Sequence, residues 1–259
     1  MKKAFTLAEV LITLGIIGVV AALTLPSLMT DIGNKKLKTQ FFKTYSDLNQ
    51  AAKLFYTNEG ASVHDVDATL PHVGEGNNSW NSHEVMKKFM TYFKGQNKAY
   101  DSMWLYYDRD RTHIIQRNLN GSEIRYSYPC DQSMIIRDIG GRIFAMDDNV
   151  LAPTSLGRDF GPKICVDING NTPPNRFGYD RFVFVFTENN EVVPYTGDAW
   201  NTLRPNVTVT RPEDEKNISK FCSRTQNTGS PAHTCAYFAL KDKSPTGNGT
   251  YWKDFLKEK

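Results

Sequence analysis

The chain has 259 residues, 40% hydrophobic and 23% charged, with a formal net charge of +3. That length suits one large domain or a small domain with an extension, and the composition is that of an ordinary globular protein. The thin positive charge makes no basic field, so no nucleic-acid partner is expected.

The N-terminus reads Met1-Lys2-Lys3-Ala4, then Phe5-Thr6-Leu7-Ala8-Glu9. From Val10 to Met29 there follow 20 residues without a charge or a histidine, the length a helix needs to cross a hydrocarbon core of ~30 Å. Lys2 and Lys3 hold this end on the cytoplasmic side. A secretory signal also has a basic start and an apolar stretch. Its apolar stretch is shorter, however, and a glutamate at the leading edge is costly in lipid. No later segment repeats this run, so one anchor carries a body of roughly 230 residues.

Beyond the run, Leu37, Phe41, Tyr45, Leu48, Ala52 and Phe55 recur at steps of three and four, which is one face of a helix. Lysines 35, 36, 38, 43 and 53 fall on other faces, and Gly60 is a stop signal. The pattern predicts one continuous helix of about 50 residues, roughly 75 Å long. It is apolar all round in its first half and amphipathic in its second, with Pro26 as a point for a kink.

Residues 61–81, rich in Gly, Asn, His and Asp, read as a loop. Ser82 can cap a short helix whose Val85, Met86, Phe89, Met90 and Phe93 share a face, with Gly95 ending it. Beyond Tyr100 the chain turns β-like. Met134–Ile136 and Arg142–Phe144 flank Gly140-Gly141 as a hairpin. Phe182–Phe186 is a strand, Asn189-Asn190 a turn and Glu191–Val193 the return strand. From Pro194 onward the tail reads as irregular and polar. No internal repeat is visible.

A basic start, a small residue, Phe-Thr-Leu-x-Glu and a long apolar helix together resemble the leader of type IV pilins and type II secretion pseudopilins. The match covers Met1 to about Leu28. It implies a leader, residues 1–4, that prepilin peptidase removes between Ala4 and Phe5, with methylation of the new amine on Phe5. Ala4 stands where the family mostly has glycine, and it too is small. The resemblance further implies a transmembrane and assembly helix over residues 5–29 and a periplasmic or extracellular globular domain over residues 30–259. Gly18 and Pro26 match places where family helices loosen in filaments. The implied fold class is α+β, a long N-terminal helix packed on an antiparallel sheet. The implied partners are prepilin peptidase, other pilin or pseudopilin subunits, the inner-membrane assembly platform and membrane lipid. The chain would span the inner membrane once and then enter a periplasmic or cell-surface filament.

Glu9 fits that setting. In a filament it could pair with the Phe5 amine of a neighbouring subunit, neutralising two charges where an unpaired one costs several kcal/mol. Alternatively, Glu9 lies among the headgroups and favours the helix N-terminus.

The stretch Ile164–Asn171, followed by Pro173-Pro174-Asn175, Gly178 and Asp180-Arg181-Phe182, resembles the V-D-x-N-G region of pilin-like proteins, some of which hold calcium in a late loop. Asp167, Asn169 and Asn171 stand at alternate positions, as the first oxygen ligands of a calcium loop do, and Asp180 could close the site. Gly170 is one place early for an EF-hand and no glutamate stands twelfth. The other reading is a set of Asx and glycine turns joining two strands.

The four cysteines are Cys130, Cys165, Cys222 and Cys235, none at C-x-x-C spacing. This argues for disulfides in an oxidising compartment rather than a zinc or redox motif; the alternative is buried free thiols. Of the possible pairings, Cys130–Cys165 follows if a meander sets the two side by side. Cys222–Cys235 encloses a polar segment and resembles the C-terminal disulfide loop of many pilins.

Little points to catalysis. The five histidines are scattered, and no G-x-S-x-G elbow, phosphate loop or dinucleotide fingerprint occurs. What the leader resemblance implies is a structural subunit of a type IV pilus or type II secretion pseudopilus, and no enzyme is expected. The alternative is a minor tip pilin acting as a binding module for a surface, DNA or secreted substrate, which the large body favours.

Overall fold

The computed structural model describes residues 6–69, 80–93, 96–100, 117–123, 135–147, 162–170, 172–196, 212–225 and 232–257. The chain opens with one helix, α1 (Leu7–Glu59), that passes Pro26 without interruption. Gly60, in the left-handed region at φ 74°, stops it and returns its N–H to Tyr56. No residue from Leu7 to Gly33 is buried; the first buried residue is Asn34. From there Phe41, Thr44, Leu48, Ala51, Ala52 and Phe55 form a buried stripe, with Leu37 and Tyr45 partly buried beside it.

Among the described residues six antiparallel strands run in chain order: β1 (Gln96–Tyr100), β2 (Ile135–Asp138), β3 (Ile143–Asp147), β4 (Lys163–Asp167), β5 (Arg181–Phe186) and β6 (Val192–Pro194). The fold is thus α+β, with a long apolar N-terminal helix and an antiparallel meander. The β2–β3 hairpin turns at Gly140-Gly141, where Asp138 and Arg142 close the ladder and Gly141 takes φ 84°. β6 returns from β5 through Asn190, at φ 60°, and Pro194 stands at the sheet edge, where no ladder donor is needed.

All six residues of β5 are buried. Phe182 and Phe184 meet the Phe41 ring at 4.6 and 5.9 Å, and Phe184 stacks on Tyr45 at 5.7 Å. Phe186 meets Phe89 of α3 (Trp80–Met90) at 4.8 Å. Strand alternation sends Val183 and Val185 to the other face, and they too are buried. Asn49 of α1 bonds Val192 of β6 in both directions, at 3.0 and 3.1 Å.

The structure departs from the sequence reading in four places. Residues 63–69, read as loop, form α2 (Val63–Thr69), which Ser62 caps by accepting from the Asp65 N–H at 2.9 Å. α3 starts at Trp80, before Ser82, though Val85, Met86, Phe89, Met90 and Phe93 are all buried. β1 precedes Tyr100 rather than following it. The described part of the tail holds the α-helices α4 (Pro212–Ser219) and α5 (Cys235–Lys241). α4 opens on a proline, which costs nothing at a first helical position. In α5 Cys235–Ala239 are all buried, so no amphipathic period was there to read. The final segment closes the core with Tyr251, Trp252, Phe255 and Leu256.

A disulfide joins Cys222 to Cys235 across 4.9 Å between Cα atoms. Cys165 is also disulfide-bonded; its expected partner, Cys130, lies outside the described residues.

Candidate functional site

The apolar half of α1 is a surface, not a core. Its most apolar window has a mean hydropathy of 2.3 and none of it is buried, so by length and composition it can cross a membrane. Its threonine hydroxyls are satisfied within the helix: Thr13 donates to Glu9 and Val10 carbonyls, Thr24 to Val20 and Thr30 to Pro26, all at 2.9 Å. Such back-bonding is what a polar side chain needs where no water is at hand.

Glu9 stands at the leading end of this surface. Thr6 is the N-cap, and the pair forms a capping box. The Glu9 N–H donates to Thr6 Oγ1 at 3.3 Å, while Glu9 Oε2 accepts from the Thr6 N–H at 2.8 Å and from its hydroxyl at 2.9 Å. The carboxylate is thus held at the helix N-terminus, where the helix dipole favours a negative charge. Glu9 is exposed, and only its Oε2 is engaged by Thr6 in these bonds. Ala4 and Phe5, the expected cleavage and methylation residues, lie outside the described residues. Thr6 joins Glu9 at this site, and the T-x-x-E spacing is its signal in the sequence.

The β4–β5 loop brings Asp167, Asn169 and Asp180 together, and Asn171 lies outside the described residues. All four oxygens of the two buried carboxylates already have donors. Asp167 Oδ1 accepts the Asn169 N–H at 3.3 Å and Oδ2 the Arg181 Nε–H at 3.0 Å. With its amide turned nitrogen-inward, Asn175 adds a second donor to Oδ2 at 3.2 Å and one to the Gly170 carbonyl at 3.1 Å. Asp180 accepts the Asn175 and Arg176 N–H groups at 2.8 and 2.6 Å. Gly170, at φ 67°, lies so close to the β2–β3 turn that a Cβ would sit 2.2 Å from the Gly141 carbonyl oxygen. Burial pushes the Asp167 carboxyl up to about 7 against the pull of Arg181, and pushes Asp180 up to about 6 against its backbone donors.

A calcium ion here would have to take Asp167 from Arg181 and Asp180 from two backbone N–H groups. The described side chains therefore fit the turn network better than a cation cage. Arg181, adjacent to Asp180 in sequence, is the partner the ligand pattern overlooked.

A second polar network surrounds Arg142, which reaches Asp138 at 2.6 Å, Asp47 at 2.8 Å and Thr44 at 3.2 Å, tying the hairpin to α1. Among the described residues no group of three or more His, Cys, Asp and Glu side chains converges.

No family model, no curated protein and no solved structure matches the chain.

Proposed function

We propose that this protein is a membrane-anchored, pilin-like subunit, a structural component of a type IV pilus or a type II secretion pseudopilus. The observation that carries the reading is the two-part α1: an unburied apolar half that begins at the Thr6–Glu9 cap, continuous with a half that buries one face in the body. An exposed apolar helix of this length needs either lipid or copies of itself. Before assembly it spans the inner membrane once. After removal of residues 1–4 by prepilin peptidase, Glu9 of one subunit accepts the Phe5 amine of the next, through the assembly platform, and the body faces the periplasm or the cell surface. No catalytic step belongs to this role. Mass spectrometry of the N-terminal peptide tests processing. The expected mature end is an N-methylated Phe5; an intact Met1, or an end near Ala22, contradicts the reading.

A further inference from the structure

Asparagine followed by glycine occurs three times, at Asn120-Gly121, Asn169-Gly170 and Asn248-Gly249. Such a pair can react with itself. The glycine nitrogen, unshielded by a side chain, can attack the asparagine side-chain carbonyl if its N–H is free and the backbone around it can turn.

At the first pair both reacting groups are engaged. The Gly121 N–H donates to the Asn118 carbonyl at 2.8 Å. Asn120 Oδ1 accepts the Ser122 N–H at 2.9 Å and the Ser122 hydroxyl at 2.7 Å. The second pair is locked by packing. Gly170 is buried against the Gly141 carbonyl, and the Asn169 N–H is held by Asp167. Ring closure there requires the loop to come away from the β2–β3 turn.

The third pair is open. Asn248 is exposed, and neither its side chain nor the Gly249 N–H makes a hydrogen bond among the described residues. Gly247 and Gly249 flank it at φ 88° and 75°, and a Cβ on Gly247 would meet nothing within 4 Å. Both ends of this arch are fastened. The Ser244 N–H donates to the Gly249 carbonyl at 3.1 Å, and the Thr250 N–H and hydroxyl donate to Asp254 Oδ2 at 2.7 and 3.0 Å. The reacting nitrogen and carbonyl are therefore left unengaged in a short exposed turn on an otherwise ordered body.

We propose that Asn248 is a site of spontaneous deamidation, where the folded protein converts asparagine to isoaspartate and aspartate. The Gly249 nitrogen bonds to Asn248 Cγ and loses its proton, and the side-chain nitrogen leaves as ammonia, closing a succinimide ring. Water then adds to one ring carbonyl and breaks its bond to the Gly249 nitrogen. Opening at the main-chain carbonyl gives isoaspartate, and opening at Cγ gives aspartate. No oxidant or reductant is needed. Either product carries a carboxylate, which lowers the formal net charge of +3 by one. Isoaspartate also lengthens the main chain by one carbon just before Gly249, whose missing Cβ would lie 2.5 Å from Asp254 Oδ2. The modification thus brings a second negative charge and a longer backbone to the turn that leads into the core-closing residues Tyr251, Trp252, Phe255 and Leu256.

The test incubates the full chain in maltoside detergent at mildly alkaline pH in heavy-oxygen water, followed by trypsin digestion in ordinary water. Only conversion during the incubation then carries the label. Mass spectrometry of the peptides Asn118–Arg125, Ile164–Arg176 and Ser244–Lys253 separates the three pairs. Label is expected in Ser244–Lys253 at least roughly tenfold faster than in the other two peptides. The three rates should converge when the same incubation is run in concentrated urea, because the difference comes from the fold. Asn248→Gln should remove the label from its peptide alone. Equal rates at the three pairs in the folded protein overturn the proposal, as does an unlabelled Asn248 after the urea-unfolded chain has converted. Electron-transfer fragmentation distinguishes the products: isoaspartate in excess is expected, and aspartate alone overturns the ring-closing route. None of these readouts depends on N-terminal processing or on filament assembly.

Discussion

The two halves of α1 share one backbone and one direction but have opposite relations to the rest of the molecule. From Leu7 to Gly33 nothing is buried; from Asn34 to Phe55 a stripe of one side chain per turn is covered by β5, β6 and α3 side chains. The difference lies in the residue pattern. Where apolar residues occupy every face, no single side can be buried in a small domain, and the surface is left for lipid or for another helix. Where they recur at three and four, one side closes a core and lysines occupy the rest.

Substitution should separate the halves sharply. Phe41 is fully buried and touches Phe182, Phe184 and Trp252. Phe41→Ala should destabilise the body by about 3–5 kcal/mol in urea unfolding of the detergent-solubilised chain. Leu14→Ala removes a side chain that is 61% exposed and should leave the unfolding midpoint of the body where it was. Similar losses in both variants would break the distinction between the halves.

The amphipathic half was legible because Leu37, Phe41, Tyr45, Leu48, Ala52 and Phe55 kept the helical period, and the β2–β3 hairpin because Gly140-Gly141 sat between two apolar runs. β5 was legible as an unbroken apolar run for the same reason that all of it is buried. α2 was hidden because its cap, Ser62, precedes a polar-looking stretch in which Val63 and His64 are nonetheless buried. α5 was hidden because a helix covered on every side carries no period. At the candidate site, Glu9 stood out as a charge at the edge of an apolar run. Its partner Thr6, and the pairing of Asp167 with Arg181, depend on reading side chains as mutual donors and acceptors rather than as separate ligands.

The β4–β5 loop sharpens the comparison from the other side, since it is where the body buries charge. Burial raises the Asp167 and Asp180 carboxyls to about 7 and about 6 from an ordinary 3.8. A group raised in the folded state contributes stability that is fully present below its unfolded value and is lost as pH rises through its folded one. The stability of the body should therefore fall as pH rises from about 4 to about 7. Asp167→Asn should flatten the slope of urea stability against pH over that window. An unchanged slope would mean that the pair does not titrate there.

Calcium should have the smallest effect. With all four carboxylate oxygens already supplied with donors, adding it should leave the melting temperature unchanged. A rise that Asp167→Ala abolishes would instead restore the calcium reading of the loop.

The central claim is that the unburied half of α1 joins subunits through Glu9. Glu9→Ala tests it most directly, scored by membrane fractionation and by mass spectrometry of purified filaments beside the wild-type chain. The account predicts a variant that is inserted and processed as before but nearly missing from filaments. Incorporation at the wild-type level would contradict it.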